Sequence, residues 1–383
     1  MRNPWPTSLA LALALLNPLP VQPQTPSEAQ ELQSRGDWKG AEQAWRAVLK
    51  QNANDYRIWA SLGIVLSQER RYEEAVAAYR KALALKPNDG QTELNLGIAY
   101  FKMGRLAEAE KPFESAANSL GHTSQLDVLL GISLYGAAHY REAIPYLERA
   151  SSVQPGNAEL QRTLGQSYLH TGAYDKAMAA FKKVLLDSPD SAQAHMLLGE
   201  AYDAANREDA AIAEFRSATQ GPYVPNAHFG LGYLLWKTRN YGEASVELQK
   251  ELDGDPENSQ ALAYLGDIVL KQGDAEKAGA LLRRSIALRP DDHLAFVDLG
   301  IIETESKQYV LAEQHLKRAV ILNPNEADGH YRLARLYRLT SRPTQAAREF
   351  AFVKQVDRNN TDDLVFKVSH DTPASPPTGE TPP

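Results

Sequence analysis

Nine small residues recur along this chain at an almost constant interval: Gly63, Gly97, Gly131, Gly165, Gly199, Gly232, Gly266, Gly300 and Ala334, spaced 34 residues apart apart from one interval of 33. A second small residue keeps the same beat twelve positions later, from Ala75 through Ala109, Ala143, Ala177, Ala211, Ala244, Ala278 and Ala312 to Ala346. Four residues beyond each stands a large apolar side chain: Tyr79, Phe113, Leu147, Phe181, Phe215, Leu248, Leu282, Leu316 or Phe350. A fixed period of this length restricts the fold to an array of one repeated supersecondary unit.

The stretch from Tyr56 to Asp89 shows what that unit is. Apolar residues fall at helical spacing through Trp59, Leu62, Gly63 and Leu66, then again through Ala75, Tyr79 and Ala82, and Pro87 closes the run. The reading is a helix hairpin with its small residues where the two helices come closest. Neither helix can bury its stripe alone, so the pair packs on itself and on neighbouring copies. The closing proline recurs as Pro155, Pro189, Pro256, Pro290 and Pro324, where it cannot continue the second helix.

With residues in this order and period, the chain resembles the tetratricopeptide repeat family, whose W-x-x-L-G-x-x-Y, A-x-x-x-F and P pattern Trp59, Leu62, Gly63, Ala75 and Pro87 match. The resemblance implies an all-α, right-handed superhelical solenoid of helix-turn-helix units. Nine units are expected, at 56–89, 90–123, 124–157, 158–191, 192–224, 225–258, 259–292, 293–326 and 327–358. A degenerate copy at 25–55, with Gly36 in its turn and a short polar first helix, reads as the end cap that keeps one face in water. Pro112 and Pro145 fall inside second helices, where each removes a backbone hydrogen bond. The single short interval coincides with the two prolines flanking Tyr223 in Gln220–Asn226, and a change of stacking between two segments of the array is expected there.

Outside the repeats, residues 1–24 combine Arg2, the apolar run Leu9–Leu16 and a proline-rich stretch, which reads as a secretory signal peptide without a clean cleavage site. Export to the periplasm or envelope follows as an expectation, with a cytoplasmic adaptor as the alternative. The sequence contains no cysteine, which rules out a cysteine-anchored lipoprotein. Residues 359–383 are rich in Pro and Thr and read as a disordered tail, although Leu364, Val365, Phe366 and Val368 form an apolar patch that would cap the last hairpin or lie in the groove. A formal net charge of -7 and a pI near 5.8 argue against general nucleic-acid binding.

Nothing in the sequence points to chemistry. It lacks a phosphate-cradling glycine loop and an H-E-x-x-H helix, so no enzyme, cofactor or metal is expected. His195, His228 and His330 share the fourth place of their units, a recurrence that could be imagined as a metal stripe but reads as structural. Glu200, Asp203 and Asp267 read as groove residues rather than as an acid-base pair.

Binding remains. In the tetratricopeptide family the first helices line a concave face through their fifth, ninth and twelfth places, and carrying that over puts Phe101 and Tyr135 in an early apolar groove. The middle of the groove is then acidic and aromatic, through Glu200, Asp203, Phe229, Tyr233, Trp236 and Asp267, and its end is basic, through Tyr331, Arg335 and Arg338. The carboxylate clamp of co-chaperones is not matched, since Ala60, Ile64, Leu94, Ile98, Val128 and Ile132 occupy the positions it needs. The expected function is a protein-protein interaction scaffold that takes an extended peptide or a partner protein. The rival from another class is a glycan-binding or assembly subunit of an envelope polysaccharide system, because aromatic platforms also suit sugar rings.

Overall fold

The computed structural model describes residues 25–370, with side chains as far as Val356. The signal-peptide reading therefore lies outside the described residues, and the apolar patch at Leu364–Val368 is described in its backbone alone. Among the described residues the chain forms twenty α-helices and no strand. It divides into two compact units at Thr171/Gly172, inside the 158–191 repeat and not at the irregular linker where two segments were expected to meet.

The first unit opens with α1 (Pro26–Ser34) and α2 (Trp38–Gln51), the hairpin of the degenerate 25–55 copy. It continues with α3 (Tyr56–Gln68) and α4 (Tyr72–Leu85), α5 (Gly90–Lys102) and α6 (Leu106–Leu120), α7 (Ser124–Gly136) and α8 (Tyr140–Val153), then α9 (Ala158–His170). The second unit begins at α10 (Tyr174–Asp187). Its hairpins are α11 (Ala192–Ala204) with α12 (Glu208–Ala218), α13 (Ala227–Lys237) with α14 (Tyr241–Gly254), α15 (Ser259–Lys271) with α16 (Ala275–Leu288), and α17 (His293–Glu305) with α18 (Tyr309–Leu322). The last is α19 (Ala327–Leu339) with α20 (Pro343–His370), and α20 runs on past Arg358, where the repeat pattern stops. The helices α6 and α8 remain continuous through Pro112 and Pro145.

Two local devices repeat with the period and set the helix boundaries. Asp55, Asp89, Thr123, Asn157, Ser191, Asn258 and Asp292 each precede a first helix and accept a hydrogen bond from its first-turn backbone. Such caps satisfy donors that have no partner within the helix. Each first helix then ends on a residue in the left-handed conformation: Gly36, Arg70, Gly104, Ala138, Gly172, Asn206, Arg239, Gly273, Lys307 and Ser341, with φ between 56° and 91°. At the end of α3, Arg70 N donates to Ser67 O and Arg71 N to Leu66 O, both at 3.0 Å, closing the last turn before the chain reverses.

The ladder of small residues is what lets the hairpins close. A Cβ added to Gly63 would lie 2.5 Å from the Tyr79 ring, and one added to Gly97 2.6 Å from Phe113. The same holds for Gly131 against Leu147, Gly199 against Phe215, Gly232 against Leu248, Gly266 against Leu282 and Gly300 against Leu316, none with more than 2.8 Å. The alanines of the second ladder, from Ala75 to Ala312, are fully buried in both units. At about 25 cal/mol per Å² of apolar area removed from water, this repeated burial drives the stacking of hairpins that are marginal singly.

The irregular linker is held by one side chain. Asn226, before α13, has φ 69° and makes no side-chain cap. Its place is taken by Glu251 of α14, which is fully buried. Oε1 of Glu251 accepts from Asn226 N at 2.9 Å, Tyr223 Oη at 3.0 Å and Asn258 Nδ2 at 3.3 Å, while Oε2 accepts from Phe229 N at 3.1 Å. A carboxylate thus caps α13 from the neighbouring helix, where the positive end of the helix dipole favours it. Gly254 gives Tyr223 room, since a Cβ there would lie 2.4 Å from its ring.

Candidate binding surface

In the first unit, Phe101 on α5 is half-buried and meets Phe113 edge to face at 6.5 Å. Tyr135 on α7 lies 5.5 Å from Tyr140, whose ring stacks on His170 at 4.0 Å. Both side chains stand on first helices, Phe101 against the buried Phe113 and Tyr135 against the half-buried Tyr140.

In the second unit, α13 is apolar on two sides. Leu231, Leu234 and Leu235 are buried, whereas Phe229, Tyr233 and Trp236 are only half-buried. These three rings stack in sequence, Phe229 on Tyr233 at 6.3 Å and Tyr233 on Trp236 at 6.2 Å. Tyr264 of α15 closes the row, 6.1 Å from Phe229, 5.3 Å from Tyr233 and 4.7 Å from Trp236. Sequence reasoning did not single out Tyr264, which lies in the sixth place, one position beside the groove stripe. Burial, then the neighbouring Tyr233, push its phenol up to about 12, so it faces its surroundings as a neutral hydroxyl.

The carboxylates divide by role. The family register points Asp267 into the groove, yet it is only 3% exposed, accepts from Trp236 Nε1 at 2.5 Å and is bound by Lys271. It anchors the indole from beneath and has no surface to offer a ligand. Nearby, Asp298 is 4% exposed with Oδ2 unpartnered, and burial followed by repulsion from Asp267 pushes its carboxyl well above the usual range. Asp203 pairs with Lys237 at 3.3 Å, and Lys237 also reaches Glu208 at 2.8 Å. Glu200 is half-buried with no hydrogen bond or ion pair among the described residues, and burial raises its carboxyl above the usual value. A cavity of about 390 Å³ opens here, lined by Glu200, Asp203, Phe215, Phe229, Tyr233 and Gln260 among others.

Tyr331, Arg335 and Arg338 of α19 are exposed. The Arg335 guanidinium lies 5.9 Å from the Tyr331 ring centre and that of Arg338 6.0 Å from Phe350. Arg335 also helps line a small cavity of about 60 Å³ over Gly300, Ile301 and Leu339. Stacking on rings leaves the guanidinium edges open to an acidic group.

The recurrent histidines have a structural use. His195, His228 and His330 each place Nδ1 2.6 to 2.7 Å from a glutamate nineteen residues on, Glu214, Glu247 or Glu349. Nε2 of His195 lies 2.8 Å from Pro189 O, and Nε2 of His330 3.1 Å from Pro324 O. Each ring thus ties a first helix to its second helix, and in two repeats to the preceding proline turn. No group of three His, Cys, Asp or Glu side chains in a metal-holding arrangement occurs among the described residues. No described helix is long and apolar enough to cross a membrane.

No curated protein matches this chain. Among solved structures it is similar to YrrB, described as a TPR protein with an unusual peptide-binding site, with 25% identity over 46% of this chain and 92% of that one and a TM-score of 0.42. It is also similar to PilF of Pseudomonas aeruginosa, with 20% identity over 55% of this chain and 97% of that one (TM-score 0.47). A third similarity is to the Cut9-Hcn1 hetero-tetramer of the APC/C, with 12% identity over 86% and 92% (TM-score 0.47). Tetratricopeptide repeat models match residues 66–122, 134–201 and 171–222 in one form and 27–90 and 229–293 in another. With these matches covering most of the sequence, and the hairpins, small-residue ladder and turns following the same period, the chain belongs to the tetratricopeptide repeat family.

Proposed function

We propose that this protein is a non-enzymatic scaffold that binds an extended peptide segment or a partner protein along the first helices of its second unit. The observation that carries the reading is α13. Its leucine face already fills the core, yet Phe229, Tyr233 and Trp236 line up on another side, only partly buried, and the first two border a cavity. A helix apolar on two sides either packs on both or offers one to a partner. Large aromatic side chains that a partner covers dominate binding energy. Tyr331, Arg335 and Arg338 would take an acidic group further along the same unit.

Tyr233 is the residue to test, because Trp236 is also tied to the buried Asp267. Peptide and glycan arrays probed with the purified chain, followed by titration of the best ligand, separate peptide from sugar recognition. Tyr233→Ala is expected to weaken a peptide ligand by about 2 kcal/mol while the helical melt stays in place. Selective binding of glycans with no peptide above background would overturn the reading. We place the scaffold in the periplasm or envelope on the strength of residues 1–24 alone, and an intact mass lacking about twenty N-terminal residues is the expected result for processed protein.

A further inference from the structure

The cavity beside α11 has walls of two different kinds. On one side stand the carboxylates of Glu200 and Asp203, and on the other the rings of Phe229 and Tyr233. Asp203 is balanced by Lys237, but Glu200 has no partner of either kind among the described residues. Gly230 matters to the floor: a Cβ there would lie 2.3 Å from the Phe215 ring, so the glycine lets Phe215 seat against α13 beneath the opening.

We propose that this cavity takes a cationic side chain, the lysine or arginine of an extended peptide, with Glu200 as its charge partner and Phe229 and Tyr233 as its aromatic walls. The proposal rests on the scaffold reading above and names the chemistry of its ligand. Its physical basis is the state of Glu200 in the free protein. A carboxylate held half out of water without a partner has lost hydration and gained nothing for it, so its attraction for an arriving cation is not offset by a second desolvation cost of the same size. Ring faces stabilise ammonium and guanidinium groups and supply apolar contact to the methylene stem. A neutral or acidic side chain in the same place would leave Glu200 unpaired or repelled. The carboxylate therefore selects as well as binds.

The test uses the full chain and four fluorescein-labelled peptides, Ser-Gly-Leu-Xaa-Leu-Gly-Ser, with Xaa lysine, arginine, glutamine or glutamate, read by fluorescence anisotropy. The lysine or arginine peptide is expected to bind about tenfold tighter than the glutamine peptide, with the glutamate peptide weakest. Glu200→Gln, isosteric and half-buried, should erase most of that preference, so that the lysine and arginine peptides bind no more than about twofold tighter than the glutamine peptide, and its circular dichroism melt should match wild type. If Glu200→Gln leaves the preference intact while Tyr233→Ala removes binding, the cation assignment fails and the scaffold reading stands. If no peptide binds, or Tyr233→Ala has no effect on any of them, both fail at this cavity.

Discussion

Replacing Glu251 by glutamine isolates the contribution of a single buried carboxylate to an irregular repeat. The change keeps shape and volume. In the wild type four donors converge on the two oxygens, three on Oε1 and the Phe229 amide on Oε2. Glutamine retains one oxygen, best placed at the threefold position, and then aims an amide N–H at the Phe229 N–H. One backbone donor is left without an acceptor, at about 1–3 kcal/mol, and the favourable charge at the start of α13 is lost, at about 0.3–2 kcal/mol. The expected cost is about 2–4 kcal/mol, a large share of a domain's total stability. Because repeats contribute stability through themselves and their neighbours, the loss should appear locally. Hydrogen exchange read by NMR should show the amides of Asn226 and Phe229 losing protection first, before those of α17 and α18. An unchanged urea midpoint together with wild-type protection at both amides would refute the argument that Glu251 holds this linker.

Gly97→Leu should cost about 1–3 kcal/mol or more by overpacking, because the Phe113 ring 2.6 Å from the new Cβ is fully buried and cannot retreat; a wild-type urea midpoint would contradict this. Asp298→Asn should make stability less sensitive to pH. The native carboxyl keeps its proton above the ordinary value of 3.8, so its contribution is full below that value and is lost as pH rises through the raised one. The variant should therefore gain on wild type as urea unfolding is moved from below pH 4 towards neutrality, and a difference that stays flat across that range would count against it.

The hairpins, their number and their closest approaches were legible because they depend on residue size at fixed places. That Gly63 and Ala75 are small where the helices approach follows from spacing, whereas the rings that the glycines meet, Tyr79 for Gly63 and Phe113 for Gly97, are seen in the structure. The cap residues at Asp55, Asp89, Thr123, Asn157 and Ser191 keep a strict 34-residue beat and could have been read as a third ladder. Other features depend on which neighbour a side chain meets. The groove register assigns Asp267 to the concave face and could not say that the Trp236 indole and Lys271 would close over it. Nor could it say that Tyr264, one place off the stripe, would complete the aromatic row. The histidines recur at a common position, yet their glutamate partners lie nineteen residues on, outside the pattern that defines the repeat. Glu251 carries no sequence mark that distinguishes a capping carboxylate from a solvated one.

The small-residue ladder also bears on how the chain reaches its fold. Gly63 meets Tyr79, Gly97 meets Phe113 and Gly300 meets Leu316, always sixteen positions along the chain. Loop closures this short form early and cost little chain entropy, so each hairpin can assemble without waiting for distant segments. The array can then grow from any seed outward, and a stalled hairpin delays its neighbours without committing the whole polypeptide to a misfolded state. The same locality makes whole-period insertions and deletions the gentlest changes in length. Removing 34 residues joins one complete hairpin to the next, whereas removing the half that forms a second helix leaves a first helix facing another first helix, glycine towards glycine, without the large side chain that fills the approach.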